Sequence, residues 1–320
     1  MTLLVVTFDA PHTSSDTCIM APFRLFCLVS LAMLAFAGNS LLCRLALKHT
    51  AIDAATFTSI RVVSGACMLW LVVQWQQRST TGVRTCKLYK SSRPALAGNW
   101  PSAFALFAYA AGFSFAYISL PAATGALLLF GAVQVTMIGY GIYRGERLQP
   151  MQIIGFALAL GGLVVLMLPG LATPGLSASL CMLGAGIAWG IYSLRGRAMP
   201  MGVAANQSAS PTAVTAGNFI RTVPMALVLS VLAPDQLSLD ASGIVLAIAS
   251  GALASGVGYA IWYQALPALA STHAATVQLS VPVIAAMGGV VLIGEALTLQ
   301  TVLASVAVLG GVALVILIKK

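Results

Sequence analysis

The sequence predicts an all-α membrane protein: ten transmembrane helices arranged as two inverted five-helix repeats. Three observations carry the prediction. The chain is 59% hydrophobic and only 7% charged, with a mean hydropathy of +0.97, whereas an average soluble domain is about a quarter charged. Its apolar residues fall in runs long enough to cross a hydrocarbon core, which takes about twenty residues at about 1.5 Å each. The second half of the chain also repeats landmarks of the first half in the same order.

The runs lie near residues 25–43, 55–75, 102–119, 123–143, 151–168, 176–194, 213–233, 243–264, 274–293 and 299–318. Most links between them are short and carry helix breakers, among them Leu120-Pro121, Pro174-Gly175, Pro211 and Pro267. Open sheets are excluded in lipid because their edges would strand backbone donors, and barrel strands would alternate rather than run apolar throughout. Most of the sixteen Lys and Arg residues fall on one side if the N-terminus is cytoplasmic, including the basic loop about 76–99 and the terminal Lys319-Lys320. That bias sets both termini in the cytoplasm, with a bacterial inner membrane as the expected location. Residues 24–168 form the first repeat and 176–318 the second. Residues 1–23 are an N-terminal tail, read as disordered or as a misassigned start, because they lack the basic start and long apolar centre of a signal peptide.

A net charge of +9 raises nucleic acid as a partner, but the basic residues lie between apolar runs rather than as a stripe on a soluble domain. The lipid bilayer is the expected partner instead. Six cysteines without a C-x-x-C pair and three histidines exclude a metal site of the usual spacing. No cofactor motif and no hydrolase or protease signature appears, so neither cofactor nor enzyme activity is expected.

The repeat is specific. Gly145-Glu146-Arg147-Leu148 opens a run ending in Gly161-Gly162, and Gly294-Glu295-Ala296-Leu297 opens one ending in Gly310-Gly311 at the same offset. Tyr117-Ile118-Ser119-Leu120-Pro121 is echoed by Tyr263-Gln264-Ala265-Leu266-Pro267, Ile60-Arg61 by Ile220-Arg221, and Ala37-Gly38 by Trp189-Gly190. Five spans per half is an odd number, so the second half is inserted upside down, the architecture of carriers with a midplane site. These landmarks resemble the drug/metabolite transporter superfamily, specifically its EamA-type members, over roughly residues 25–318. The resemblance implies a ten-span carrier with a central cavity, exporting or exchanging amino acids or amphipathic drug-like compounds by alternating access. A nucleotide-sugar or sugar-phosphate exchanger of the same broad fold is the alternative; it is disfavoured because no lysine lies within a span. Pro282 matches the family's helix-breaking proline, while the first half has Val133 there. A homodimer is left open.

Polar and aromatic residues deep in the spans are the expected cavity lining for a small-molecule substrate: Asn39, Ser40, Phe113, Tyr117, Gln134, Trp189, Tyr192, Trp262 and Gln278. Asn39, Gln134, Trp189 and Gln278 stand out because their depth removes the interfacial-belt explanation. Charged residues within spans cost roughly 2.5–3.5 kcal/mol on insertion scales. Arg61 and Arg221 occupy equivalent places, which favours a structural role for both over an anion contact. Glu146 and Glu295 sit where a carboxylate complements a helix dipole, again a structural role.

Overall fold

The structure, a computed structural model, describes residues 22–80, 97–145, 147–167, 175–197, 210–233, 239–269, 274 and 277–318. Glu146, His273, the Asn206-Gln207-Ser208 glycosylation-like pattern and the tail through residue 21 lie outside the described residues. Among the described residues the chain is all-α, with ten principal helices: α1 (Pro22–His49), α2 (Ala54–Thr80), α3 (Trp100–Tyr117), α4 (Ala122–Tyr143), α5 (Pro150–Met167), α6 (Leu176–Arg197), α7 (Pro211–Leu232), α8 (Ala241–Ala265), α9 (Ser280–Ile293) and α10 (Leu299–Leu317). Seven of these (α1, α2, α4, α6, α7, α8 and α10) are long and apolar enough to cross a membrane by length and composition. The helices α5 and α9 are apolar but shorter, and α3 opens on Trp100-Pro101-Ser102 and falls outside that set.

Local chemistry explains the helix starts. Asp53, Asn99, Ser210, Asp240 and Thr298 each accept a hydrogen bond from the backbone N–H three residues on, the cap that orphan first-turn donors require. Two features depart from the sequence expectation. The Gly-Glu pair expected to open the last span closes α9 instead: Gly294 takes φ 70°, a left-handed cap that glycine adopts without strain, and α10 begins only at Leu299. The ninth helix is shorter than the expected span because a turn at Leu279 interrupts it, with Pro282 in the first turn of α9, where its missing N–H is harmless. The equivalent stretch of α4 runs unbroken through Val133.

Packing follows a pattern. The pairs α2·α7, α4·α9 and α5·α10 pack together, and so do α3·α6 and α1·α8, as well as α4·α6 and α1·α9. The α5–α10 seam is antiparallel. Gln152 at the start of α5 donates to the carbonyls of Val315 and Ile318, and Gln300 at the start of α10 donates to the Val165 carbonyl. Each repeated Gly-Gly pair places one glycine in this seam: a Cβ on Gly311 would overlap the backbone of Gly155 and Ala159, and one on Gly162 would press on Val308. Their neighbours Gly161 and Gly310 face open space. Serine and threonine stitch other seams; Ser59 donates to the Ala226 carbonyl and Thr222 to that of Ala103.

The outer surface is apolar. Leu71, Ile153, Ile154, Val291, Leu303 and Val306 are all exposed, a covering suited to acyl chains rather than water. Exposed aromatics ring one end of the bundle: Phe23 and Phe26 at the start of α1, Trp75 near the end of α2, Trp100 opening α3 and Tyr143 ending α4. Such residues favour the membrane–water interface.

Candidate functional site

The interior narrows to a small aromatic cavity where helices of both halves converge. Phe36, Asn39 and Ser40 share one face of α1 at the spacing that aligns side chains on a helix. Tyr109 and Phe113 face them from α3, Leu129 and Phe130 from α4, Trp189 from α6, and Ala254, Ser255 and Tyr259 from α8. The rings interlock: Trp189 packs edge-on against Phe36 and Phe130, with centroids 6.1 and 5.3 Å away, and lies 5.0 Å from Tyr109. The cavity is about 10 Å³, room for roughly one water.

The α8 wall is unusual. Residues Ala249–Val257 wind as a π-helix, a form that recurs at functional sites. Here it carries Ser250, which donates to Asn39 Oδ1 at 2.6 Å, and Ser255 on the cavity wall. Gly251 in this stretch lies against the Arg61 carbonyl with no room for a Cβ, so α8 and α2 touch backbone to backbone.

Of the residues expected to line a cavity, Asn39, Ser40, Phe113 and Trp189 do so. Tyr117, Gln134, Tyr192, Trp262 and Gln278 do not. Tyr117 packs edge-on to Phe113 and over Gly125. Gln134 is buried one turn past Phe130. Tyr192 accepts a hydrogen bond from Asn218, Trp262 packs on Phe36 from outside the wall, and Gln278 sits half-buried beside the break at Leu279. Sequence reasoning missed Phe36, Tyr109, Phe130, Ser250 and Ser255. Tyr109 was legible in principle, lying one turn before Phe113 on the same face; nothing local marks the π-helical stretch.

The two equivalent arginines differ. Arg221 Nη1 donates to the carbonyls of Ala97 and Gly217, tying the turn before α3 to α7. Arg61 is 3% exposed. Its Nη2 donates to Tyr109 Oη at 2.9 Å, and its guanidinium carbon lies 5.3 Å from the Tyr109 ring centre and 4.6 Å from that of Phe113. Among the described residues Nη1 has no hydrogen-bond partner. Arg44 and Lys48 pair with Glu295, whereas Arg61 has no ion-pair partner among the described residues. Removing an ion from water costs several kcal/mol; a desolvated cation–π contact returns about 2 kcal/mol, and an unmade hydrogen bond adds about 1–3 kcal/mol to the deficit.

Glu295 acts across the bundle rather than on its own helix, a correction to the expected first-turn cap; Thr298 caps α10. Its Oε1 accepts from Arg44 Nε at 2.7 Å with Lys48 Nζ at 4.0 Å, and its Oε2 accepts from the Ala122 N–H that opens α4. Arg44 also donates to the carbonyls of Tyr117 and Ile118. One carboxylate thus binds the ends of α1, α3 and α9 to the start of α4, beside a pocket of about 160 Å³ lined by Pro121, Thr124, Gly289 and Thr301 among others. At the opposite end Arg195 reaches Ser102 and Asn99 of the α3 start.

An apolar-surfaced bundle of long hydrophobic helices around an aromatic cavity is the build of a multi-pass membrane protein. The EamA-like transporter family matches residues 176–317. The "Uncharacterized protein PA1977" of Pseudomonas aeruginosa is 51% identical over 293 residues, covering 92% of this chain and 94% of that protein. One solved crystal structure superposes with a TM-score of 0.62 over 92% of this chain and 98% of that chain; at 18% identity this likeness concerns the fold alone. The chain belongs to the EamA-like transporter family, whose members are transporters.

Proposed function

We propose that this protein is a carrier that exports or exchanges small organic metabolites by alternating access. Ten spans cross a bacterial inner membrane as two inverted five-helix repeats, with both termini cytoplasmic. The observation that carries this reading is the aromatic cavity between the halves, walled by α1, α3 and α4 on one side of the repeat and α6 and α8 on the other. The packing supports the repeat: shifting every helix by five turns α3·α6 into α8·α1 and α4·α6 into α9·α1, and leaves α2·α7, α4·α9 and α5·α10 unchanged. With the site near the midplane, rocking one arrangement into its mirror exposes it to either face. The Arg44–Glu295 ion pair closes one face in the present state.

Counterflow in proteoliposomes tests the reading, using labelled amino acids, aromatic organic acids and amines as the panel. Stimulated exchange of at least one compound is expected. Trp189→Ala removes the ring shared by three cavity aromatics and should lower that exchange tenfold or more, while Trp75→Ala at the exposed end of α2 leaves it unchanged. Exchange that survives Trp189→Ala intact would contradict a site at this cavity.

A further inference from the structure

We infer that Arg61 is the anion contact of the central site, and that the transported molecule is a small monocarboxylate with an apolar or aromatic body. The inference rests on the carrier reading above and names the substrate chemistry of that same cavity. Arg61 is a cation buried in the bundle, with one nitrogen lacking an acceptor among the described residues. Its guanidinium lies against Tyr109 and Phe113, two rings that form the cavity wall. The repeat makes the contrast informative: its counterpart Arg221 spends Nη1 on two backbone carbonyls, so the arginine position does not demand a structural role in both halves. A buried guanidinium without a carboxylate partner, one ring away from an internal cavity, is poised for an anion that arrives with the substrate.

The wall narrows the class. A carboxylate forks onto the two terminal nitrogens of a guanidinium in the plane they define. Here Nη1 is vacant and Nη2 is held only by Tyr109 Oη, which Asn39 Nδ2 also approaches at 3.3 Å. Displacing the Tyr109 hydroxyl onto Asn39 frees the fork. A phosphoryl group brings about −1.5 to −2 charge, more than one guanidinium neutralises, and the wall holds no lysine. Its other groups are six aromatic rings, Leu129 and Ala254, with Ser40 and Ser255 as neutral hydrogen-bonding groups. None of these residues is acidic, so an ammonium group has no carboxylate to meet.

The test uses the purified full-length chain in proteoliposomes with three compounds of one shape: 3-phenylpropionate, its primary amide, and 3-phenylpropylamine. Wild type is expected to exchange the acid at least tenfold faster than the amide or the amine. Arg61→Gln should lose that preference, with acid exchange reduced tenfold or more, and Arg61→Lys should retain part of it. Gel filtration and thermal unfolding check that both variants are folded, and the wild-type panel decides the matter if they are not. Equal or faster exchange of the amide or amine by wild type overturns the anion assignment while leaving carriage intact. Undiminished acid exchange by folded Arg61→Gln overturns the role of Arg61. Exchange of none of the three by correctly inserted wild type overturns this inference; exchange of other panel compounds in the same vesicles then tells whether carriage itself survives.

Discussion

Arg44→Met should unlock one face of the bundle. The substitution leaves the Glu295 carboxylate, whose side chain is only 9% exposed, with the Ala122 N–H and a lysine at 4.0 Å. Removing one partner of a buried ion pair costs about 3–5 kcal/mol, because the other charge remains without compensation. Glu295→Gln should cost less, since Arg44 keeps the carbonyls of Tyr117 and Ile118 and an amide oxygen still accepts from Ala122. The double variant should recover much of the loss. In a protein with two states, destabilising the contacts of one shifts the population toward the other, and about 3 kcal/mol corresponds to roughly 100-fold. The readout is the labelling rate of a thiol introduced as Ala123→Cys, on the wall of the pocket beside Glu295, with the six native cysteines replaced. Labelling ~10²-fold faster in Arg44→Met is the expected result; an unchanged rate shows that the ion pair does not hold this face shut.

Gly311→Val should be among the most damaging single substitutions in the chain. The glycine lets the α10 backbone touch that of α5 at Gly155 and Ala159. Lipid tails are as apolar as the side chains they would replace, so helix association in a bilayer depends on such close packing. Overpacking costs about 1–3 kcal/mol where side chains can yield; here the obstacle is backbone, and the two helices must separate. The control is Gly310→Val, one residue earlier and facing open space, which should change stability by less than about 0.5 kcal/mol. Thermal unfolding in detergent should show a large drop for the first and almost none for the second. Equal effects would mean that the repeated glycine pair has no directional role.

This contrast also marks what a sequence can disclose. The helices were legible because hydropathy and breakers depend on local composition; the apolar runs at 123–143 and 243–264 fall within a residue or two of α4 and α8. The Gly-Gly pairs were legible as a repeat, but not which glycine of each pair faces the seam, since that needs the rotation of both helices. The Gly-Glu pair was misread for a related reason. Its glycine closes one helix, and its glutamate serves Arg44 and Ala122, far away in the chain. Asn39 and Trp189, singled out for their depth, line the cavity, whereas Gln134 and Gln278 share that depth and lie outside its lining. Depth is a property of one helix, and lining a cavity is a property of several. The π-helical winding that aims Ser250 at Asn39 left no mark in the periodicity.

Alternating access at the central cavity is tested most directly by a thiol introduced as Ser255→Cys, with the native cysteines replaced and a membrane-impermeant reagent applied to one side at a time. Ser255 is 3% exposed on the cavity wall, so the closed state protects it from both sides. The carrier account predicts slow labelling from either side, with Arg44→Met accelerating labelling from the Glu295 face and slowing it from the other. Labelling from a single side regardless of that substitution, or equal acceleration from both, would contradict it.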